Sequence, residues 1–306
     1  MKTKKNLLKW IGLGVSILLI VWGGVHLVGY ISDLVSSRKT TQELREIAAA
    51  SETAAVSVPA EPGEVTIPAP EITLNPDTAA TAPDETPEVN AAEAVAPEGA
   101  ATETMAASEE LPAVDYPNGY ALVPRIQELR KKSEYIIGWI TMDDLDEPVV
   151  HRDNTFFLDH DAMGKKNGNG AIFMDQYTNL LTRPYTILVY GHNMKTGAMF
   201  GNLRKYEYSS YCLKHRFLQF DTLYEEGKFE IFAVATISLT PGKAKFLDLT
   251  ALQSSDRNTR KEALVSLQNA SAYQGVGEVK ADDQILLLIT CVGDDDERLI
   301  VAARRV

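Results

Sequence analysis

The chain has 306 residues, with 30 basic and 42 acidic side chains and a formal net charge of −12. Binding phosphate backbones needs clustered lysine and arginine, so this balance argues against a nucleic-acid partner. The charge is also unevenly placed: residues 1–50 carry +4, residues 51–115 carry −14 without one basic group, and residues 116–306 carry −2, which excludes a single globular domain over the whole length.

Residues 1–9 form a lysine-rich tail, with Lys2, Lys4, Lys5 and Lys9. The next 22 residues, Trp10 to Ile31, contain no Asp, Glu, Lys or Arg. As a helix they span roughly 33 Å, enough to cross the hydrocarbon core of a bilayer. Lysines before the span and Asp33 after it place the amino terminus in the cytoplasm and everything beyond Ile31 outside the plasma membrane. A cleaved signal peptide has a shorter apolar core with a small-residue site close behind it. The pattern here predicts an uncleaved, single-pass anchor over 10–31, with His26 near its end facing the headgroups.

From Ser32 to Ala50, Leu34, Leu44 and Ile47 among charged residues predict a short helix leaving the membrane. Residues 51–115 hold 9 of the 14 prolines, 16 alanines and 14 acids, with no aromatic residue. Such a segment buries too little apolar surface to offset its ordering entropy. Residues 32–115 therefore read as a juxtamembrane segment and a disordered, extended stalk that acts as a spacer.

Residues 116–306 are enough for one well-buried domain. A helix is expected over Tyr120 to Lys132, with Leu122, Ile126 and Leu129 on one face, and another over Asn258 to Ala270, with Ala263, Leu264 and Leu267 as its stripe. Eight apolar runs bounded by turn residues start at Ile136, Pro148, Ala171, Tyr185, Phe217, Phe229, Gln284 and Leu299. Short β-branched runs with few helices between them predict a mainly β domain, closed or sandwich-like, with helices outside it.

Two cysteines in an exported segment leave pairing open: Cys212 lies in the polar, tyrosine-rich YSSYCLKHRF, and Cys291 ends the strand LLLITC. An acidic turn from Gly293 to Glu297 follows, and then Arg298. His192 stands just past a strand end in YGHNMKTGAMFGNL, between Gly191 and Asn193, with a short helix expected from Met199 to Leu203. A histidine at that place is held by rigid structure yet reaches solvent, which suits a proton carrier. No His/Cys/Asp/Glu group has metal-ligand spacing, the acidic run reads as a solvated turn, and no cofactor is expected.

Together these blocks resemble the sortases, cysteine transpeptidases of Gram-positive bacteria, and the details are similar to class B: GWITMDDLDEPVV, DNTFFLDHD, GAIFMD, YGHNMKTGAMFGNL, LITC and RLIVAARR occur in the family's order over roughly 120–306. The resemblance implies an eight-stranded sortase-type β-barrel with peripheral helices, and a catalytic triad of His192, Cys291 and Arg298. It implies cleavage of a surface protein after the threonine of a C-terminal sorting signal, through a Cys291 acyl-enzyme, and transfer to a peptidoglycan amine. Asn154, Leu158 and Thr290 stand at positions that imply substrate contact, and the segment 240–273 is expected to wall the groove. Two departures are visible: the interval from Cys291 to Arg298 is only seven positions, and Ile289 stands where some class B members carry serine.

Three other readings remain at this point. A stalked adhesin or sensor that keeps the fold but not the chemistry would be favoured by a Cys212–Cys291 disulfide. A pilin-polymerising sortase shares the same residues. A papain-like wall peptidase is disfavoured, because there the cysteine precedes the histidine in the chain.

Overall fold

The computed structural model describes residues 2–56, 119–273, 275, 279–292 and 296–306, with side chains in the first stretch at Ser16 and over 18–51. The segment expected to be disordered begins at residue 51, but 51–56 continue the first helix, while 57–115 and the 293–295 part of the acidic turn lie outside the described residues.

The first element, α1 (Lys2–Val56), is one unbroken helix, so the expected anchor and juxtamembrane helix are a single rod. Its first half carries a run long and apolar enough to cross a membrane, with Leu18, Ile20, Trp22 and Val28 projecting away from protein. An exposed apolar run of this length fits a helix that could serve as a membrane anchor. Beyond Ile31 the helix changes partner. Asp33, Ser37, Thr41, Leu44 and Ala48 recur at spacings of four, four, three and four, which puts them on one face. That face lies against the folded domain: Leu44 and Ala48 are buried in a cluster with Ile126, Leu129, Trp139 and Phe157.

The second helix, α2 (Pro124–Arg130), is shorter than the 120–132 periodicity predicts. Pro124 lacks an N–H and has a fixed φ, so it suits the first turn of a helix and marks the start. Leu122 therefore falls outside the helical register and is exposed, while Ile126 and Leu129 are fully buried.

All eight expected strands are present: β1 (Ile136–Met142), β2 (Leu145–His151), β3 (Ile172–Met174), β4 (Thr186–Tyr190), β5 (Phe217–Thr222), β6 (Lys228–Ser238), β7 (Ile285–Cys291) and β8 (Glu297–Arg305). They close into a barrel in the order β1-β2-β3-β4-β7-β8-β6-β5. The pairs β2–β3 and β4–β7 are parallel and the others antiparallel. The run ILLLI in β7 is apolar throughout because both of its faces are buried. Leu286 and Leu288 point into the barrel core, and Ile285, Leu287 and Ile289 pack outward with Leu252, Leu264 and Leu267.

Three further helices lie outside the barrel: α3 (Ser209–Lys214), α4 (Leu249–Leu252) and α5 (Arg257–Ala270). Helix α5 starts at the Asp256 cap, whose carboxylate accepts from Thr259 N at 2.7 Å, and buries Ala263, Leu264 and Leu267 as the stripe predicts. The short helix expected from Met199 begins two residues later, because Met199 is itself left-handed at φ 51°. A 3-10 stretch, Gly201–Glu207, then leads into α3.

Candidate active site

The exposed end of β7 and the start of β8 bring two of the expected residues together. Cys291 and Arg298 are direct partners across the antiparallel β7–β8 ladder, and Val292 N donates to Glu297 O at 3.2 Å to close the turn. The ladder sets the two residues directly opposite one another. Cys291 is a free, exposed thiol.

His192 sits in the turn that follows β4, and β4 runs parallel beside β7. That turn is tied to the cysteine strand from several directions. Gly191 N donates to Ile289 O at 3.2 Å, Thr290 Oγ1 donates to Gly191 O at 2.7 Å, and Asn193 Nδ2 donates to Cys291 O at 2.8 Å. Position 191 admits no side chain, since a Cβ there would lie 2.9 Å from the buried Phe200 ring. The His192 carbonyl accepts from Met194 N and Phe200 N, which fixes the turn from its far side.

The imidazole itself contacts the strip after β2, with His192 Nε2 2.7 Å from Leu158 O. A carbonyl can only accept, so Nε2 carries a hydrogen in both the neutral and the charged ring. Nδ1 is then the nitrogen that gains and loses a proton. Gly170 backs this contact: it is left-handed at φ 63°, and a Cβ there would meet Phe157 O at 2.4 Å and both Leu158 O and His192 Cδ2 at 3.0 Å.

A cavity of about 250 Å³ opens over these groups, lined by His192, Cys291 and Arg298 together with Asn154, Leu158 and Thr290. The structure therefore gathers all six residues singled out in the sequence. Their surroundings differ in ways the sequence does not display. The Thr290 side chain is buried and its hydroxyl is engaged by Gly191, so it steadies the histidine turn. Asn154 is held by Asp175 and Gln176: its Nδ2 donates to Asp175 Oδ2 at 2.9 Å and its Oδ1 accepts from Gln176 N at 2.9 Å. Leu158 is 44% exposed, an apolar side chain presented to solvent at the cavity rim.

Sequence reasoning missed Phe173, Tyr190 and Leu239, which also line the cavity. Tyr190 Oη donates to Asp175 Oδ2 at 3.4 Å, and burial, reinforced by that carboxylate, pushes its hydroxyl well above the ordinary tyrosine range. It stays a neutral donor. In the sequence Tyr190 is simply the last residue of an apolar strand, which fits a core residue as well as a cavity one. On the β6 side the wall is Leu239, one residue ahead of the segment 240–273 expected there. Helices α4 and α5 in that segment are drawn instead to the outward face of the barrel, where their apolar stripes are covered.

Cys212 is also a free thiol, so no disulfide joins the two cysteines. It does not lie on a polar surface as its neighbours suggest. It is fully buried in α3, among Leu203, Tyr206 and Tyr273, and burial pushes the thiol up to about 12. It is protonated and inert at neutral pH.

Fold and site together define an eight-stranded barrel that presents a thiol, an imidazole and a guanidinium around one apolar cavity, the layout of a cysteine-dependent acyl-transfer enzyme. The comparisons are specific about which one. The Sortase domain family model matches residues 140–306. The chain is 30% identical over 177 residues to Sortase B of Listeria monocytogenes, spanning 56% of this chain and 68% of that protein. It is 26% identical over 193 residues to Sortase B of Staphylococcus aureus, spanning 59% and 74%. A crystal structure of a Bacillus anthracis protein similar to sortase B superposes with a TM-score of 0.54 at 32% identity, covering 64% of this chain and 88% of that one. The chain belongs to the sortase family, in its class B, and is a transpeptidase of that type.

Proposed function

We propose that this sortase cuts a surface protein after the threonine of a C-terminal sorting signal and transfers the new acyl end to a cell-wall amine, with Cys291, His192 and Arg298 as its catalytic residues. The observation that carries the reading is the cross-strand pairing of Cys291 with Arg298 beside a histidine turn tied to the same strand.

The chemistry follows from the groups. The Cys291 thiolate attacks the threonine carbonyl, forming a C–S bond and placing negative charge on the carbonyl oxygen. The Arg298 guanidinium, a permanent cation with planar donors, stabilises that oxyanion. As the tetrahedral intermediate collapses the scissile C–N bond breaks, and the His192 imidazolium gives its Nδ1 proton to the departing amine. The incoming amine then attacks the thioester, His192 Nδ1 takes its proton, and the thiolate leaves. Asn154, Leu158 and Thr290 border the peptide as it lies in the cavity. Nothing in this cycle calls for a metal or cofactor.

In the same reading residues 10–31 are a single-pass anchor in the plasma membrane, residues 1–9 lie in the cytoplasm and the barrel domain works outside. Lysines on the amino-terminal side of the apolar run support this orientation.

Cys291→Ala tests the assignment. Turnover of a panel of fluorogenic sorting-signal peptides disappears while the thermal melt is unchanged, since one exposed sulfur at a strand end is removed. Retained turnover would place the nucleophile elsewhere.

A further inference from the structure

The stripe on α1 beyond the apolar run reaches the loop that carries His192's hydrogen-bond partner. Asp33 Oδ2 accepts from Gly168 N at 3.0 Å, and Asp33 O accepts from Asn167 Nδ2 at 3.1 Å. One turn on, Ser37 Oγ donates to Asn167 Oδ1 and accepts from Asn169 Nδ2, both at 3.2 Å. Asn167 and Asn169 are almost fully buried beneath the helix. A second pair of turns grips the β1–β2 hairpin: Thr41 Oγ1 donates to Glu147 Oε2 at 2.8 Å and Arg45 Nε to Asp146 O at 2.8 Å. Leu44 and Ala48 then close the apolar contact with α2.

The asparagine loop leads directly to the site. Asn167 N donates to Asp159 O at 2.8 Å, Gly170 N donates to Asn167 O at 3.0 Å, and Ala171 N donates to Phe157 O at 3.0 Å. These bonds fix the strip from Phe157 to Asp159, whose Leu158 carbonyl holds His192 Nε2, against the Gly170 backbone that backs the ring. Only Asn169 separates the α1-bound Gly168 from Gly170.

We infer that residues 33–51 of α1 are a working part of the catalytic domain: Asp33 and Ser37 are positioning residues that brace the 167–170 loop and through it orient His192. The described residues on either side of 57–118 then belong to one domain, because Val123 shares a buried cluster with Leu44 and Ala48 of α1. The bracing helix sets how far the site stands from the membrane, and Asp33 is only two residues past the end of the apolar run.

The inference rests on His192 as the proton carrier, and the experiment keeps the two apart. A site for a specific protease is inserted between residues 57 and 118 of the full chain, which carries an amino-terminal affinity tag in detergent. After cleavage, capture of the tag retains the carboxy-terminal fragment, and the nicked protein turns over peptide at the intact rate. In uncut protein the Asp33→Ala/Ser37→Ala pair lowers kcat about ten-fold with little change in KM, a fraction of the cost of a 1 Å misplacement. It also slows alkylation of Cys291 by iodoacetamide, because a loosened imidazole supports less thiolate. Asp33→Asn, which keeps an acceptor for the Gly168 amide, restores most of the rate. Where the double variant melts below the assay temperature, Ser37→Ala alone carries the comparison. A carboxy-terminal fragment that separates from α1 and works at the intact rate overturns the inference. So does a folded double variant with wild-type kcat and alkylation. If the intact chain turns over no sorting peptide, the proposed reaction fails, while fragment capture and the alkylation rates still decide the role of α1.

Discussion

Gly170→Ala puts the smallest possible change at the joint between the brace and the histidine. Glycine adopts the observed φ of 63° freely, whereas a residue with a Cβ loses about 1–2 kcal/mol in a left-handed conformation. The added methyl would also stand 2.4 Å from Phe157 O and 3.0 Å from Leu158 O and His192 Cδ2, so the 157–158 strip must retreat by close to 1 Å to reach ordinary contact. That movement strains the Ala171 N to Phe157 O bond, worth about 1 kcal/mol net. Strain and bond together give a loss of about 2–3 kcal/mol, or roughly 5–10 °C in Tm for a domain of this size. The larger effect falls on catalysis. The Leu158 carbonyl that holds Nε2 moves with the strip, and a 1 Å misplacement of a catalytic group costs on the order of 100-fold. The assay pairs a thermal melt with peptide turnover measured well below both transitions. Gly119→Ala is the control: φ there is also 63°, but nothing lies within 4 Å of the added methyl, so it carries strain without displacement and leaves turnover unchanged. A Gly170→Ala protein with wild-type kcat, whatever its Tm, would refute the argument that the Leu158 carbonyl orients His192.

Arg298→Ala lowers peptide turnover on the order of a hundred- to a thousand-fold, the usual loss for one oxyanion donor, and Arg298→Lys retains a small residual rate because it keeps the charge without the planar fork. Iodoacetamide still labels Cys291 in both variants; turnover at the wild-type rate in Arg298→Ala would move the oxyanion contact to another group. Glu147, under Thr41 and Arg45 of α1, has its carboxyl pushed up to about 7 because burial outweighs those two favourable partners. Its folded value lies above its unfolded one of 4.5, so the folded chain holds the extra proton. The resulting stability is full below about 4.5 and is lost as the pH rises toward 7, a swing of roughly 1–3 kcal/mol. Melts of wild type and Glu147→Gln across pH 4 to 8 read this as a difference between the two curves, with the variant flatter; superimposable pH profiles would sink it.

The class of fold was legible because a barrel strand must bury its side chains, and the eight apolar runs from Ile136 to Leu299 mark that requirement locally. The same holds for α5, whose stripe and Asp256 cap lie within a few residues of one another, and for the order of His192, Cys291 and Arg298, which the family blocks carry in plain sight. Leu122 misled because periodicity alone ignores where Pro124 permits a helix to begin. Tyr190 and Leu239 were not legible as cavity residues, since in the sequence each is only an apolar or aromatic position at the end of a strand.

What the sequence by itself determined is therefore whatever depends on neighbours along the chain: an apolar run long enough to cross a bilayer, the strands, and the blocks that bear the thiol, imidazole and guanidinium. Tertiary structure alone decided what depends on distant partners. It set Cys291 opposite Arg298, assigned the exchangeable proton of His192 to Nδ1 through a carbonyl 34 residues earlier, and buried Cys212 so that it cannot compete. It also laid the polar stripe of α1 on an asparagine loop 130 or more residues away. Hydrogen bonds between a buried serine and buried asparagines leave no periodic trace in a sequence, because each residue taken alone is an ordinary polar side chain; only the closed barrel brings them within reach of one another.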